Sequence, residues 1–588
     1  MCGIFGYVGN KKNAATIVFD GLKTLEYRGY DSWGVATLDQ NNKIQTKKRA
    51  GKIGDNSIAE LPNSTIAFGH TRWATHGGVT QTNAHPHLDC SGELAIIHNG
   101  IIENYEEIKK SLHNKHTFIS ETDTEVAIHL IEELAQTLSL TEAVRHAFNR
   151  FEGLNAIIIL DSKNHQLIAA RNGSPLVIGF GASENFLASD ASALLPHTKE
   201  VHFMEDNEMA VMNNKTVDFY DVVSRKPHTV TKQTLSWKIE EASLGTFPHF
   251  MLKEIHEQPK IIAEIVASGM HDAKRVSELI KHSFGTYVVG CGTASYAALA
   301  GSYLFSKIAK IHINWAIGSE FGYHLDFLKK KSLVVALSQS GETMDILESV
   351  KKAKERGATI LALVNVLGSS LYRISDEKVL LGAGPEKAVA STKAFVAKLS
   401  YLVLIAYSLA NKADTGQKIV TKAIESTKKI LNQHSINNIQ KLAKAISNKS
   451  HVYVIGRGLS YPASLEAALK IKEISYIHAE GLAAGELKHG PLALVESGTP
   501  CIAYLPNDET YGANLAGAME MKARGGEIIG ISFKNHPVFD HFIEVEDAQE
   551  ATIIPNVVVA QLLAYYLSIA RDLDPDKPRN LAKSVTVK

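Results

Sequence analysis

Cysteine is scarce in this 588-residue chain: the four present (Cys2, Cys90, Cys291, Cys501) are scattered and form no CxxC pair. That spacing excludes a disulfide-stapled scaffold and offers no ribbon-type metal site. Among the histidines only His85 and His87 are close neighbours in sequence, and no cysteine or carboxylate joins them at ligand spacing, so no metal is expected. Net charge is missing too. Lys plus Arg and Asp plus Glu each total 62, which leaves no overall field to recruit nucleic acid or an anionic membrane. Long apolar runs are absent: Leu399–Ala410 and Val557–Ala570 are too short or too interrupted to span a bilayer. The first residues show no basic, apolar leader pattern, so a cytoplasmic chain is expected. At this length three or four domains are expected.

What is present begins at the first six residues, Met1-Cys2-Gly3-Ile4-Phe5-Gly6. Removal of Met1 would put a thiol nucleophile and an α-amine on one residue. An α-amine titrates near pH ~8, so it can accept the thiol proton without a separate histidine. Residues 1–225 then read as short strands (Ile4 to Val8, Leu94 to Ile97, Ala156 to Leu160, Glu208 to Met212) with helical stretches near Ala14–Leu25 and Glu125–Leu138. This is the pattern of a layered α+β domain.

Three polar clusters interrupt that domain: His70 to Gly77, His98-Asn99-Gly100-Ile101, and Glu121 to Glu125. Singly, each has a structural explanation: Arg72 as a surface ion pair, Asn99-Gly100 as a turn, Asp123 as a helix cap. Together with Cys2 they form a chemical set. Arginine clamps carboxylates, aspartate receives an ammonium, and an Asn amide beside a Gly N–H can hold an oxyanion. Those parts suit cleavage of the side-chain amide of glutamine or asparagine.

Cys2 to Gly6, Tyr27-Arg-Gly-Tyr-Asp-Ser32, Arg72 to His76, Asn83 to His87, His98 to Asn104 and Ser120 to Glu125 resemble, in order, the class II (N-terminal nucleophile) glutamine amidotransferases. The resemblance implies attack by Cys2, an oxyanion held by Asn99 and Gly100, and the amino-acid end held by Arg72 and Asp123. Thr75 and His76 would line the pocket. Trp33 departs from that family's small residue and implies a local repacking.

A polar, irregular stretch at 226–246 reads as a linker, and a helix is expected to begin near Phe247. Tyr287-Val-Val-Gly-Cys-Gly292 then recurs as Tyr453-Val-Ile-Gly-Arg-Gly458, each an apolar strand running into an alanine-rich helix. Two tandem doubly wound α/β domains with parallel sheets are expected, at 247–430 and 431–575, with a tail at 576–588. Both copies lack the third glycine of a dinucleotide fingerprint, so no cofactor is expected. In the first copy, Ser338-Gln339-Ser340-Gly341-Glu342-Thr343 joins a strand to a helix and supplies hydroxyls and free N–H groups, an anion cradle. The second copy has Pro506 and Asp508 there and should reject phosphate. It carries instead Glu466, Lys470 and Glu473 on one helix face, and His489 in a turn-rich loop suited to acid or base work. Lys583 in the tail could form a Schiff base if docked.

This half is similar to the tandem sugar-isomerase part of the glucosamine-6-phosphate synthase family. That resemblance implies the phosphate of fructose 6-phosphate held by Ser338, Gln339, Ser340 and Thr343, with Val389 against the sugar. His489 would open the ring, Lys583 would form the imine, and Glu473 would carry the proton from C1 to C2, assisted by Lys470 and Glu466. It further implies Trp73 as an ammonia gate and a homodimer, with His489 serving a neighbouring chain. Ala294 stands where many relatives have a serine, and Ser295 is the candidate replacement. Two rivals stay open: a relative acting on another sugar phosphate, and a sugar-phosphate-binding regulator with inactive catalytic domains.

Overall fold

The computed structural model describes residues 2–113, 115–235 and 243–585. The expected removal of Met1, the middle of the linker and the last three residues of the tail lie outside the described residues. The chain forms two compact units, Met1–Ser243 with Ala582–Lys588, and Leu244–Leu581.

The first unit is built on two antiparallel sheets. In the eight-stranded sheet Gly3–Val8 lies between Ile66–Arg72 and Asn185–Ala188, in register Gly3↔Thr71 and Phe5↔Ala188. In the seven-stranded sheet Leu94–Gly100 pairs with Asn155–Asp161, and Gly100 faces Asn155. Side chains alternate across each strand. Ile4, Val8 and Phe68 from one sheet therefore meet Ala95, Ile97 and Ile158 from the other in a shared core. Ile96, Ile157 and Ile159 point the opposite way and bury the apolar stripe of the helices Asp123–Ala135 and Leu140–Phe148. The helix Ala14–Leu25, near its expected bounds, turns Val18 and Leu22 inward toward the strand Ile66–Arg72. The result is a helix–sheet–sheet–helix sandwich. Trp33 lies 1 % exposed in the strand Ser32–Leu38, its ring 5.3 Å from Phe19, with the indole N–H buried and unpaired.

The second unit contains two five-stranded parallel sheets of the same order. Thr286–Gly290 lies between Asn314–Ile317 and Leu333–Ser338, followed by Thr359–Val364 and Glu377–Leu380. His451–Gly456 likewise lies between His478–Ala483 and Pro500–Leu505, then Glu527–Ser532 and His541–Glu544. The repeated Gly-x-Gly strands are thus the first strand of each sheet, where strand order reverses and a crevice opens at the carboxyl ends. The fully buried helix Lys393–Leu409 and the helix Ile553–Ala570 join both sheets in one core. The stretch Gln549–Ala570 is long and apolar enough to cross a membrane, and 83 % of its apolar 18-residue part is buried in the protein. It exceeds the run seen in the sequence because the turn Gln549–Thr552 precedes the helix. The helix expected to start at Phe247 starts at Phe250, where Asp576 accepts hydrogen bonds from Phe250 N (2.7 Å) and Met251 N (2.8 Å). It runs through Pro259 to Ser268.

Candidate active sites

The Cys2 site lies at the edge where the first strand begins. Trp73 N donates to Cys2 Sγ (3.3 Å), and the Cys2 carbonyl accepts from Asn99 Nδ2 (3.1 Å) and Arg28 Nε (3.1 Å). Burial pushes the thiol pKa up, although the nearby N-terminal charge, the Trp73 N–H, Arg72 and Arg28 favour the thiolate. At rest the thiol is therefore protonated and needs a base.

His70 explains why Asn99 points its amide nitrogen at Cys2. His70 Nε2–H donates to His98 O (2.9 Å) and to Asn99 Oδ1 (3.0 Å), which turns Nδ2 outward. Burial holds His70 down to about 3, so it stays neutral and keeps this donor role at any working pH. Asn99→Ala is expected to lower glutamine turnover roughly 10²-fold with little change in melting temperature. A fall in melting temperature matching the loss of activity would instead mean that Asn99 only braces the Cys2 strand. Gly100 follows with φ 133, and a Cβ there would collide with the Leu154 carbonyl, so only glycine fits.

The Tyr27–Ser32 motif braces the same edge. Arg28 reaches the Cys2 carbonyl and pairs with Asp190 (3.5 Å), and Asp31 accepts from Ala74 N (2.9 Å). Gly29 leaves room for the Arg72–Trp73 backbone, which a Cβ would approach to 2.7 Å. Trp73 stands edge-on to Tyr30, ring centroids 5.9 Å apart. Arg28, Asp31 and His70 were not singled out by sequence, although all three lie inside or beside motifs that carried the resemblance.

Two of the candidate residues have partners that the sequence did not announce. Arg72 is only 4 % exposed, and its guanidinium donates to Gly78 O (3.1 Å), Gly77 O (3.2 Å) and His76 O. It pins the loop carrying Thr75, which is exposed, and His76, whose ring stacks edge-on with Tyr105. In this arrangement three of its five N–H groups hold the loop, so a carboxylate would use the remaining ones or compete with those carbonyls. Asp123 is not the helix cap: Thr122 is, accepting from Glu125 N (3.3 Å). Asp123 is the first helical residue, and its carboxylate accepts from Ile102 N (2.8 Å) and Thr124 Oγ1 (3.2 Å).

In the second unit, Ser338 ends its strand and its Oγ accepts from Gly341 N (2.9 Å), while Ser340 Oγ accepts from Glu342 N (3.1 Å). Glu342 in turn holds Ser370 N (2.8 Å). The following helix, Met344–Glu355, has Thr343 at its N-cap without a side-chain cap bond. Its first N–H groups and the Thr343 hydroxyl are thus placed for an anion at the strand-order switch. Gln339 is half-buried beside them. Ala294 is buried, and Ser295 donates to Gly292 O (2.7 Å), closing its own helical turn. In the second sheet the corresponding loop turns Asp508 onto Thr510 N (2.8 Å) and Thr510 Oγ1 (2.6 Å).

On the helix Ser460–Ser475, Lys470 Nζ lies 3.6 Å from Glu466 Oε1 and pairs closely with Glu473. Glu466 and Lys470 are fully buried, and Glu473 keeps 22 % of its side chain exposed. One lysine balances one carboxylate. Burial opposes the charge of Lys470, but its two glutamates hold it above its ordinary value, whereas burial lifts Glu466 to about 8. At neutral pH Lys470 therefore stays charged, and Glu466 beside it keeps its proton. Thr293, from the helix after the first Gly-x-Gly, donates to Glu466 Oε1 (3.4 Å), so both sheets contribute to this cleft. Val389 sits in a loop whose ends are fixed by buried carboxylates the sequence did not flag: Glu254 accepts from Ala388 N (3.2 Å), and Glu386 from Thr392 N (2.9 Å) and Ala394 N (3.0 Å). Val389 N donates to Asp576 O (3.0 Å). His489 is exposed at the end of the turn Glu486–His489. Lys583 is half-buried in the segment that groups with the first unit, while Arg579 N still bonds Tyr476 OH of the second (2.7 Å).

A cysteine at position 2 with a fixed amide donor, joined in one chain to a double parallel-sheet unit with hydroxyls at a helix N-terminus and a buried carboxylate–lysine row, fits an amidotransferase coupled to a sugar-phosphate-type isomerase. Known proteins agree. The glutamine amidotransferase domain family matches residues 42–234, and the SIS domain family matches residues 279–436 and 445–571. Glutamine--fructose-6-phosphate aminotransferase [isomerizing] of Pyrococcus horikoshii is 42% identical over 600 residues, covering 100% of both chains. The protein of that name from Caldanaerobacter subterraneus subsp. tengcongensis is 43% identical over 616 residues, again with 100% of both covered. Among solved structures, the C-terminal domain of glucosamine-fructose-6-phosphate aminotransferase from Francisella tularensis is 35% identical, with a TM-score of 0.52 over 57% of this chain and 99% of that one. The chain belongs to the glutamine–fructose-6-phosphate aminotransferase (isomerizing) family.

Proposed function

We propose that this chain converts fructose 6-phosphate and L-glutamine to glucosamine 6-phosphate and L-glutamate, the first step of hexosamine (UDP-N-acetylglucosamine) synthesis. The observation that carries the reading is the presence in one chain of two complementary chemistries. Asn99 holds its N–H₂ at Cys2, and the Lys470–Glu473 pair lies in a cleft to which Thr293 of the first half contributes. One site can release ammonia from an amide, and the other can move a proton on a phosphorylated sugar.

In this reading the Cys2 thiol gives its proton to the α-amine exposed when Met1 is removed, and the sulfur attacks the glutamine amide carbon. Asn99 and Gly100 bear the oxyanion charge, Arg72 and Asp123 the amino-acid end, and Thr75 and His76 the pocket wall. Ammonia leaves, and water releases glutamate from the thioester. Ammonia reaches the sugar inside the protein, because in neutral water it protonates and ceases to be a nucleophile; Trp73 gates that passage. The sugar phosphate sits on Ser338, Gln339, Ser340 and Thr343, with Val389 against its carbons. His489 opens the ring, Lys583 forms the imine, and ammonia displaces Lys583. Glu473 then moves the proton from C1 to C2, with Lys470 and Glu466 setting its charge. The enzyme works as a cytoplasmic homodimer without nucleic-acid or membrane partners, His489 serving the neighbouring chain. Its domains run 1–225, 247–430 and 431–575, with the linker 226–246 and the tail 576–588.

The test is amino sugar formed by the purified protein from glutamine and fructose 6-phosphate, followed by borohydride reduction in the presence of fructose 6-phosphate alone. Glucosamine 6-phosphate, and a reduced sugar adduct on the Lys583 peptide, are expected. Glutamate without amino sugar would mean another acceptor, and an adduct mapping to a different lysine would remove Lys583 from the mechanism.

A further inference from the structure

From three separate segments, Cys90, His116, and the pair His129 and Glu132 converge in the first unit, with one ligand atom from each within 4.8 Å of all the others. Three segments meet there: the loop after the strand His87–Leu88, the loop between the helices Tyr105–Ser111 and Asp123–Ala135, and the middle of the latter helix. Four of the six ligand-to-ligand distances are near those of a tetrahedral site. With Zn–N and Zn–O bonds of about 2.1 Å and Zn–S of about 2.3 Å, its edges should be about 3.4 Å between N or O ligands and about 3.6 Å between N and S. Observed are His116 Nδ1–Glu132 Oε2 at 3.2 Å and His129 Nδ1–Glu132 Oε2 at 3.0 Å. Cys90 Sγ lies 3.4 Å from His116 Nδ1 and 3.7 Å from His129 Nδ1.

Hydrogen bonding alone does not account for this cluster with neutral imidazoles. His116 Nε2 lies 3.1 Å from Glu133 Oε1, and against a carboxylate, which only accepts, that nitrogen must carry the proton. A neutral His116 then turns the lone pair of Nδ1, for which the Cys90 thiol is the donor in reach (3.4 Å), also toward the Glu132 carboxylate oxygen (3.2 Å), a contact of acceptor with acceptor. A cation between them turns both lone pairs into ligands. The Glu133 contact is also the outer-sphere partner that metal-bound histidines use to fix their tautomer. Glu132 Oε2 is oriented by a further bond from Cys90 N (3.2 Å), and Phe118 closes the far side, its ring 4.9 Å from that of His129. His116 and His129 are almost wholly buried, while Cys90 is exposed and leaves an entry path.

We propose that Cys90, His116, His129 and Glu132 bind one zinc ion that ties the two loops to the Asp123 helix. A thiolate, two imidazoles and a carboxylate suit a borderline-soft cation, and four protein ligands leave no open position, so the site is structural. It is separate from Cys2 and needs neither substrate. Its staple holds the helix whose first residue, Asp123, anchors Ile102 N. The sequence hides it because its ligands come from loops and a helix rather than from one CxxC or HxxxH run; the expectation of no metal rested on such short spacings.

The test is elemental analysis of the full chain purified without a histidine tag. Close to one zinc per chain is expected in wild type and in Cys2→Ala, falling more than ~10-fold in a Cys90→Ser/His129→Asn variant. X-ray absorption at the zinc edge of the wild type should show one sulfur at about 2.3 Å with nitrogen and oxygen neighbours. Chelation should lower the melting temperature of the wild type and leave that of the variant unmoved. Zinc absent from wild type even after zinc sulfate is added to chelator-treated protein, zinc retained by the double variant, or an edge spectrum without sulfur would each overturn the site. Should the variant fail to fold, the wild-type spectrum and the add-back decide.

Discussion

Cys2→Ala is expected to leave a folded chain that still binds fructose 6-phosphate and forms no measurable glucosamine 6-phosphate from glutamine. Loss of a nucleophile costs roughly 10⁴-fold or more, because binding and oxyanion stabilisation cannot replace the covalent step. Folding should survive. The sulfur makes one N–H acceptor contact with Trp73 and a long 3.6 Å contact to the Trp73 carbonyl, while the Cys2 carbonyl, held by Asn99 and Arg28, is kept in alanine. Pairing of Gly3–Val8 with its neighbours is unaffected. A change in melting temperature of more than a few degrees would mean that the thiol also supports the strand. The pH dependence of the wild type has a determined sign. Burial keeps the thiol protonated, so glutaminase activity should rise with pH until the α-amine, near pH ~8, is free to act as base. Glutamate release by Cys2→Ala at a rate within tenfold of wild type would remove Cys2 from the chemistry.

Elements whose signals are local were legible in the sequence. The strands around Ile4–Val8 and Ala156–Leu160 and the helix Ala14–Leu25 carry their own periodicity, and they occur within a residue or two of the expected ends. The repeated Gly-x-Gly segments announced two sheets of one topology, because a parallel strand feeding a helix is itself a local pattern. The i, i+4, i+7 row at Glu466 also held, since helical geometry alone brings Lys470 between its glutamates. Less legible were features made by distant chain segments. Arg72 is a candidate clamp by residue type, but that it also holds the backbone of residues 76–78 depends on the path of that loop, which no pattern encodes. Glu254 and Glu386 were ordinary acids in sequence, yet they cap a loop whose amides would otherwise be buried without acceptors. Ser295 shows the same limit in one residue: a serine one turn into a helix can face a ligand or its own backbone, and here it bonds Gly292 O.

Replacing Glu473 separates the two halves of the reaction. Glu473→Gln is expected to lower glucosamine 6-phosphate formation roughly 10²- to 10⁴-fold, the usual contribution of a positioned proton carrier, while glutamate release at Cys2 continues. Gln keeps the shape but cannot take a proton, and it leaves Lys470 fully buried with Glu466 as the nearer remaining carboxylate and Glu386 beyond it. Glu466 must then ionise to balance the lysine, so its raised value should fall in the variant. Glu466→Gln behaves differently. In the wild type Glu466 is lifted by burial to about 8, above its value of about 4.5 in an unfolded chain, so the folded state holds the extra proton. Its contribution to stability is complete below about pH 4.5 and is lost as pH rises toward 8. Wild type should therefore lose melting temperature between pH 5 and pH 8 relative to Glu466→Gln, which is neutral throughout, and the two should converge at low pH. Glu466→Gln should keep most of its amino-sugar activity near neutral pH, because the group it replaces already carries a proton there. Loss of activity in Glu466→Gln as deep as in Glu473→Gln would show that Glu466 transfers the proton itself, and the charge assignment along the row would have to be reversed.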